Sequence, residues 1–140
     1  MPHYPKDRYK YFLNIQTRWN DNDMYGHINN AVYYMWFDTL VNNYLIENEL
    51  VDPQAGKAIG LVVDTGCQYF APLSYPETIT AGLRTVKIGN SSVRYEIGLF
   101  RRGEDKPCAE GHFVHVYVDE KTRKPMPMSA NMRAKLEALT

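Results

Sequence analysis

The sequence predicts a single α+β domain, residues 1–140, in which one long helix is wrapped by a curved antiparallel sheet of about five strands. Three observations predict it. An apolar run, "AVYYMWFDTLVNNYLIENEL" (Ala31 to Leu50), is too long for a strand. One alternating segment precedes it. Four more follow it, separated by turn signals, with no internal repeat, low-complexity tract or second domain. A sheet of that size buries one helix against one face.

From Tyr9 to Trp19, residues Tyr9, Tyr11, Leu13, Ile15 and Trp19 share one face, and Lys10, Asn14, Gln16 and Arg18 the other, which is a half-buried strand. The helix carries no charge between Ala31 and Phe37 and is apolar on every side there, so that end must be wrapped by protein. Twenty helical residues reach about 30 Å. Charges return at Asp38, Glu47 and Glu49, so the second half is expected to surface. "VDPQAGKAIG" reads as a loop. Leu61, Val63, Cys67 and Tyr69 alternate up to the break at "APLSYPE". Ile79, Ala81 and Leu83 then alternate before Val86 and Ile88 shift phase, which predicts a bulge near Arg84–Thr85. "IGNSSV" turns into Val93, Tyr95, Ile97 and Leu99, and "RRGEDKP" turns into Cys108 to Val118. After the polar loop "DEKTRKPMPM", Ser129 is placed to cap a short helix through Leu139. Val62, Phe70, Phe113 and Tyr117 suggest a second apolar face, which an oligomer would cover.

Sixteen acidic residues balance sixteen basic ones, so no overall field attracts nucleic acid or an anionic membrane. The N-terminal "MPHYPKDRYKYF" lacks an apolar core of signal-peptide length, and no later segment is long enough to span a bilayer. Cys67 and Cys108 have no close Cys or His at metal spacing and read as free thiols, which makes a cytoplasmic protein the expectation. His112 and His115, three apart in a strand, point to opposite faces, so no metal site is expected there.

The chemistry concentrates in "RWNDNDMYGHINNAVYY", Arg18 to Tyr34. Asn29 or Asn30 sits where an N-cap belongs, and the carboxylates of Asp21 and Asp23 offset the positive end of the helix. Capping needs one or two acceptors, whereas this segment supplies two carboxylates, two amides and an imidazole. The same free N–H groups polarise a carbonyl and stabilise the oxyanion formed on attack, while a carboxylate beside it attacks or takes a proton from water. A thiol leaving group, ordinarily ionising near pH ~8.5, departs with little help. Asp23 is the preferred carboxylate, and Asp21, two residues away, is expected to buttress the loop.

Residues 18–37, "RWNDNDMYGHINNAVYYMWF", resemble the signature of the hotdog-fold acyl-CoA thioesterases of the 4-hydroxybenzoyl-CoA thioesterase type: Asp-x-Asp, two residues, Gly-His, an aliphatic, Asn-Asn, then an aromatic-rich helix. "YFAPLSYPETI" resembles the family's link into its third strand, and "IGNSSVRYEI" its Gly-x-Ser-Ser hairpin. The resemblance implies the hotdog fold, assembled as a homodimer or homotetramer with sites at subunit interfaces. It implies hydrolysis of an acyl-CoA or acyl-carrier-protein thioester, with no cofactor because CoA belongs to the substrate. Asp23 falls on the catalytic aspartate, as general base or nucleophile, and the backbone N–H of Asn30 on the oxyanion donor. Gly26 would allow close approach to the acyl-sulfur region, His27 and Asn29 match the motif, and Ser91 and Ser92 would help close the pocket. Lys87, Arg94, Arg101, Arg102, Arg123 and Lys124 are candidate cations for the CoA phosphates. The alternatives are an enoyl-CoA hydratase-like enzyme on the same fold and a non-catalytic acyl-CoA-binding module.

Overall fold

Alternating side chains make the strands and the apolar stripe of one helix fills their concave face. The computed structural model describes residues 3–50 and 58–140. Strands β1 (Tyr11–Gln16), β2 (Ala58–Tyr69), β3 (Thr78–Ile88), β4 (Ser92–Arg101) and β5 (Ala109–Asp119) form one antiparallel sheet in the order β1-β3-β4-β5-β2. Helix α1 (Asn30–Glu47) follows β1, and α2 (Ala130–Glu137) closes the chain. This is the expected hotdog arrangement. Among the described residues no helix is long and apolar enough to cross a membrane.

Along α1 the buried residues are Tyr33, Trp36, Phe37, Leu40, Val41, Tyr44 and Leu45. Their three- and four-residue spacing lays one stripe on the sheet along the whole helix. The expected contrast between a wrapped first half and a surfacing second half is therefore corrected: Met35 is 53% exposed in the first half, and Leu45 is buried in the second. Aromatic bulk near the N-terminus hides the amphipathic pattern in the sequence. Gly111 makes room for the stripe, since a Cβ there would lie 2.4 Å from the Phe37 ring. Helix α2 seals the end of the core at Leu136, with the Thr85 hydroxyl donating to the Leu136 carbonyl (2.8 Å) and the Ser129 side chain capping as expected (3.1 Å).

Several face assignments change. Tyr9 lies on the convex face, not the helix face, its ring against Gly82 and Gly98 and edge-on to Phe100. The strand starts only at Tyr11, so the alternation does not carry back to Tyr9. Trp19, expected on the buried face, is 75% exposed because the chain has already left the strand for a 3-10 turn, Trp19–Asp21. Phe113 and Tyr117, expected on a second apolar face, are buried in the core beneath α1. The convex face is instead covered in part by residues 3–9: His3 stacks on Phe70, the Lys6 ammonium sits over Phe100, and the Tyr4 N–H donates to Glu110. The bulge in β3 falls where expected, between Thr85 and Lys87. A second, between Val62 and Asp64, puts Leu61 and Cys67 on opposite faces. The predicted loop at 51–60 lies outside the described residues up to 57, and from Ala58 the chain is strand. As expected, His112 and His115 face opposite ways: His112 reaches Asp64 (3.3 Å) on the convex side, and His115 joins the rings of Phe113 and Tyr117 within.

This packing can be tested at two positions. A Cβ at Gly98 would lie 2.6 Å from the Tyr9 ring, so Gly98→Ala is expected to lower the unfolding free energy by about 1–3 kcal/mol, measured by urea denaturation. Burial lowers the pKa of His115 to about 4, with the Asp38 carboxylate partly opposing. The unfolded chain therefore takes up a proton near pH ~6.5 that the folded chain refuses. This contribution is absent above that pH and removes roughly 3 kcal/mol of stability as pH falls to about 4. The melting temperature should drop across that window in the wild type and less in His115→Phe.

Candidate active site

The two carboxylates of the sequence motif have separate duties. Asp21 is 1% exposed, and its carboxylate accepts from the Arg18 backbone N–H (2.8 Å), Nε (3.1 Å) and Nη2 (2.8 Å). Its carbonyl accepts from the Asn29 N–H (2.8 Å), so this corner also sets where α1 begins. Through these bonds Asp21 buttresses the loop, as expected of it.

Asp23 is half-buried. Its Oδ1 accepts from the Tyr25 N–H (2.8 Å) and, at longer range, the His27 N–H (3.4 Å), while its own N–H donates to the His27 carbonyl (2.7 Å). This closes a tight turn over residues 23–27 and orients the carboxylate. Oδ2 has no hydrogen-bond partner among the described residues and is left to meet a water or a substrate. Gly26 completes the turn at φ 79°, a left-handed conformation that side chains disfavour. A Cβ there would meet no protein atom within 4 Å, so within the chain the glycine answers to the backbone conformation.

The loop is fastened to the link between β2 and β3. Ile28, buried, donates its N–H to the Leu73 carbonyl (2.7 Å), the Ser74 hydroxyl donates to the Gly26 carbonyl (3.0 Å), and the Tyr75 N–H donates to Asn22 Oδ1 (3.0 Å). The link is held in turn by Arg101, whose Nε donates to Glu77 (2.7 Å) and whose Nη2 donates to the Pro72 carbonyl. Of the six candidate cations, Arg101 is thus committed to shaping the site, and none of the six lines it.

Asn29 is the N-cap of α1, its side chain accepting from the Ala31 N–H (3.0 Å). Asn30 opens the helix, and its backbone N–H has no acceptor among the described residues. Asp23, His27, Asn29 and Asn30 line one cavity of about 640 Å³, with Tyr33 and Tyr69 among its other walls. The structure therefore gathers four of the predicted site residues, with Gly26 in the same turn. Ser91 and Ser92 lie elsewhere in the chain. The Ser91 carbonyl accepts from the Tyr117 N–H (2.7 Å) and Ser92 pairs with Val116, at the end of the sheet that α2 closes.

Sequence reasoning did not place Tyr69, Phe70, Ala71 and Pro72 on this cavity; the "YFAP" junction of strand and link was the available signal. Tyr69 packs edge-on to Tyr33 with ring centroids 4.9 Å apart. Burial pushes the Tyr33 phenol up to about 12, raises Tyr69 further, and pushes the neighbouring Cys67 thiol up to about 11. These groups are neutral at physiological pH. Cys67 is no thiolate nucleophile, and Asp23 is the carboxylate on the cavity wall.

The fold is shared with known proteins. Residues 17–136 match the family model described as the thioesterase-like superfamily. The structure superposes with a TM-score of 0.95 on the PA5185 protein from Pseudomonas aeruginosa strain PAO1, 48% identical, covering 99% of this chain and 97% of that one. It superposes with a TM-score of 0.83 on Slr0204, a 1,4-dihydroxy-2-naphthoyl-CoA thioesterase from Synechocystis, 14% identical over 89% of this chain and 93% of that one. With BH1999 gentisyl-coenzyme A thioesterase the TM-score is 0.80 at 20% identity, covering 90% and 99%. The matched span contains the aspartate loop, the capped helix start and strands β2 to β5, and the chain belongs to the thioesterase-like superfamily of thioester hydrolases.

Proposed function

We propose that the protein hydrolyses an acyl-CoA thioester, with Asp23 as the reacting carboxylate and the N–H of Asn30 as an oxyanion donor. The observation that carries this reading is the division of labour between the aspartates. Asp21 is saturated by Arg18, whereas Asp23 is held through one oxygen only and lines the same cavity as Asn30. In the hydrolysis a carbon–oxygen bond forms, the carbon–sulfur bond breaks, and the carbonyl oxygen carries negative charge in between. The helix dipole and the free N–H of the first turn lower the energy of that charge. As general base, Asp23 removes a proton from the attacking water; as nucleophile, it forms an anhydride that water then opens. Two structural relatives are CoA thioesterases, which favours CoA as the carrier.

The reading includes a homodimer. Among the described strands β2 lies at one edge of the sheet, and Leu61, Val62, Val63 and Tyr69 are 37–57% exposed along it. Antiparallel pairing of β2 with its copy about a twofold axis would cover that edge. It would also carry the Ala58 end of the partner, with its Ser91–Ser92 hairpin, towards the Tyr69 end and the Asp23 cavity.

Two outcomes check this. Asp23→Asn should lower CoA release from a panel of acyl-CoA thioesters at least ~100-fold, the scale of a lost general base, with an unchanged melting temperature, whereas Asp21→Asn should lower the melting temperature. Unimpaired release by Asp23→Asn, or hydration of crotonyl-CoA in place of thiol release, would remove the assignment. Val62→Lys should shift the protein from dimer to monomer in sedimentation velocity and lower turnover in parallel.

A further inference from the structure

A second cavity, of about 500 Å³, lies at the other end of α1. It shares no lining residue with the Asp23 cavity. Leu45, on its wall, is fifteen residues along α1 from Asn30, or about 22 Å. Its walls include Leu45, Ile59 and three methionines, Met126, Met128 and Met132. Unbranched thioether side chains adapt to the shape of an apolar guest. Gly60 keeps the wall thin where the chamber meets His115 and Tyr117, since a Cβ there would lie 3.1 Å from the Tyr117 ring.

The base of the chamber is polar and unsatisfied. His115 is 4% exposed, lines the cavity, and has an Nδ1 with no hydrogen-bond partner. Tyr117, beside it, is 5% exposed, with its hydroxyl close to that of Tyr95. Leaving the imidazole nitrogen buried and unpaired is unfavourable. A ligand atom that satisfies it recovers that cost.

We propose that this chamber is a second binding site, for a small neutral molecule with an apolar body and one hydroxyl group that pairs with His115. Burial keeps the imidazole uncharged at physiological pH, with a pKa lowered to about 4, so it offers one donor and one acceptor. A hydroxyl matches either. Glu120 on the wall disfavours a carboxylate guest. The proposal is independent of the role given to Asp23.

The test titrates the full-length protein, with ¹⁵N-labelled histidine, with phenol and separately with toluene at pH ~7, where an imidazole so buried is neutral. The imidazole nitrogens of the four histidines are followed by NMR. The expected result is a saturable shift at His115 alone, with phenol at least about fivefold tighter than toluene, the scale of one net hydrogen bond, and loss of that preference in His115→Phe. The wild-type titration stands by itself if the variant does not fold. Three results would overturn the proposal: no saturable shift, equal affinity for phenol and toluene (a dry apolar void), or a shift at His27 without His115.

Discussion

The arrangement depends on how the 21–29 loop is sewn to the link between β2 and β3. The Ile28 N–H to the Leu73 carbonyl is the central stitch, both residues being buried. Ser74 to Gly26 and Tyr75 to Asn22 lie on either side of it. One residue on, Asn29 caps α1. Helix start and link are therefore positioned by one set of hydrogen bonds, and the cavity between them is a consequence. Arg101 belongs to this set through Glu77 and Pro72, although its charge alone suggests a phosphate ligand.

The Asp-x-Asp spacing illustrates what a sequence conveys and what it does not. Two carboxylates two residues apart fall on the same face of an extended chain, and that spacing gives them no separate roles. Nor does it say which meets the ligand, and the resemblance of the motif supplied that choice. The structure adds a difference in their surroundings: Asp21 has a guanidinium and a backbone amide consuming its oxygens, whereas Asp23 is held by backbone amides on one oxygen only. The succession of strands and the long helix were legible because period-two and helical patterns differ over long runs. The order in the sheet was not: the four strands after the helix read as a meander, whereas β2 pairs with β5 and not with β3. Faces were less legible at the ends. Tyr9 and Trp19 extend the β1 alternation on paper, but the chain bends at both residues, and periodicity carries no information about a bend. Phe113 and Tyr117 were misassigned because a strand apolar on both sides reads alike from either face; pairing to Thr65 and Gly60 decides it.

The charge arrangement at the cavity is economical. Its phenols are neutral, raised chiefly by burial, and the nearby Cys67 thiol is held neutral for the same reason. No lysine or arginine lines it among the described residues. A lone carboxylate beside the positive end of a helix faces little competition for a polarised carbonyl, but a polyanionic carrier such as CoA has no counter-charge there. The missing cations are an argument about assembly: on the proposed reading, phosphates must be met by residues outside this cavity.

Strand β2 joins these points. An apolar edge of twelve residues in a chain of zero net charge invites pairing with another strand. Its bulge at Val63 does little to block this, because the strand continues in register with β5 to Tyr69. A twofold copy is the partner that closes the edge without propagating, since antiparallel pairing of a strand with itself uses up both exposed sides. The same operation would turn the polar loop after β5, with Lys121, Arg123 and Lys124, towards the Asp23 cavity of the neighbouring protomer. On that arrangement the cations absent from the cavity, and the serines that lie far from it within one chain, arrive together from the partner.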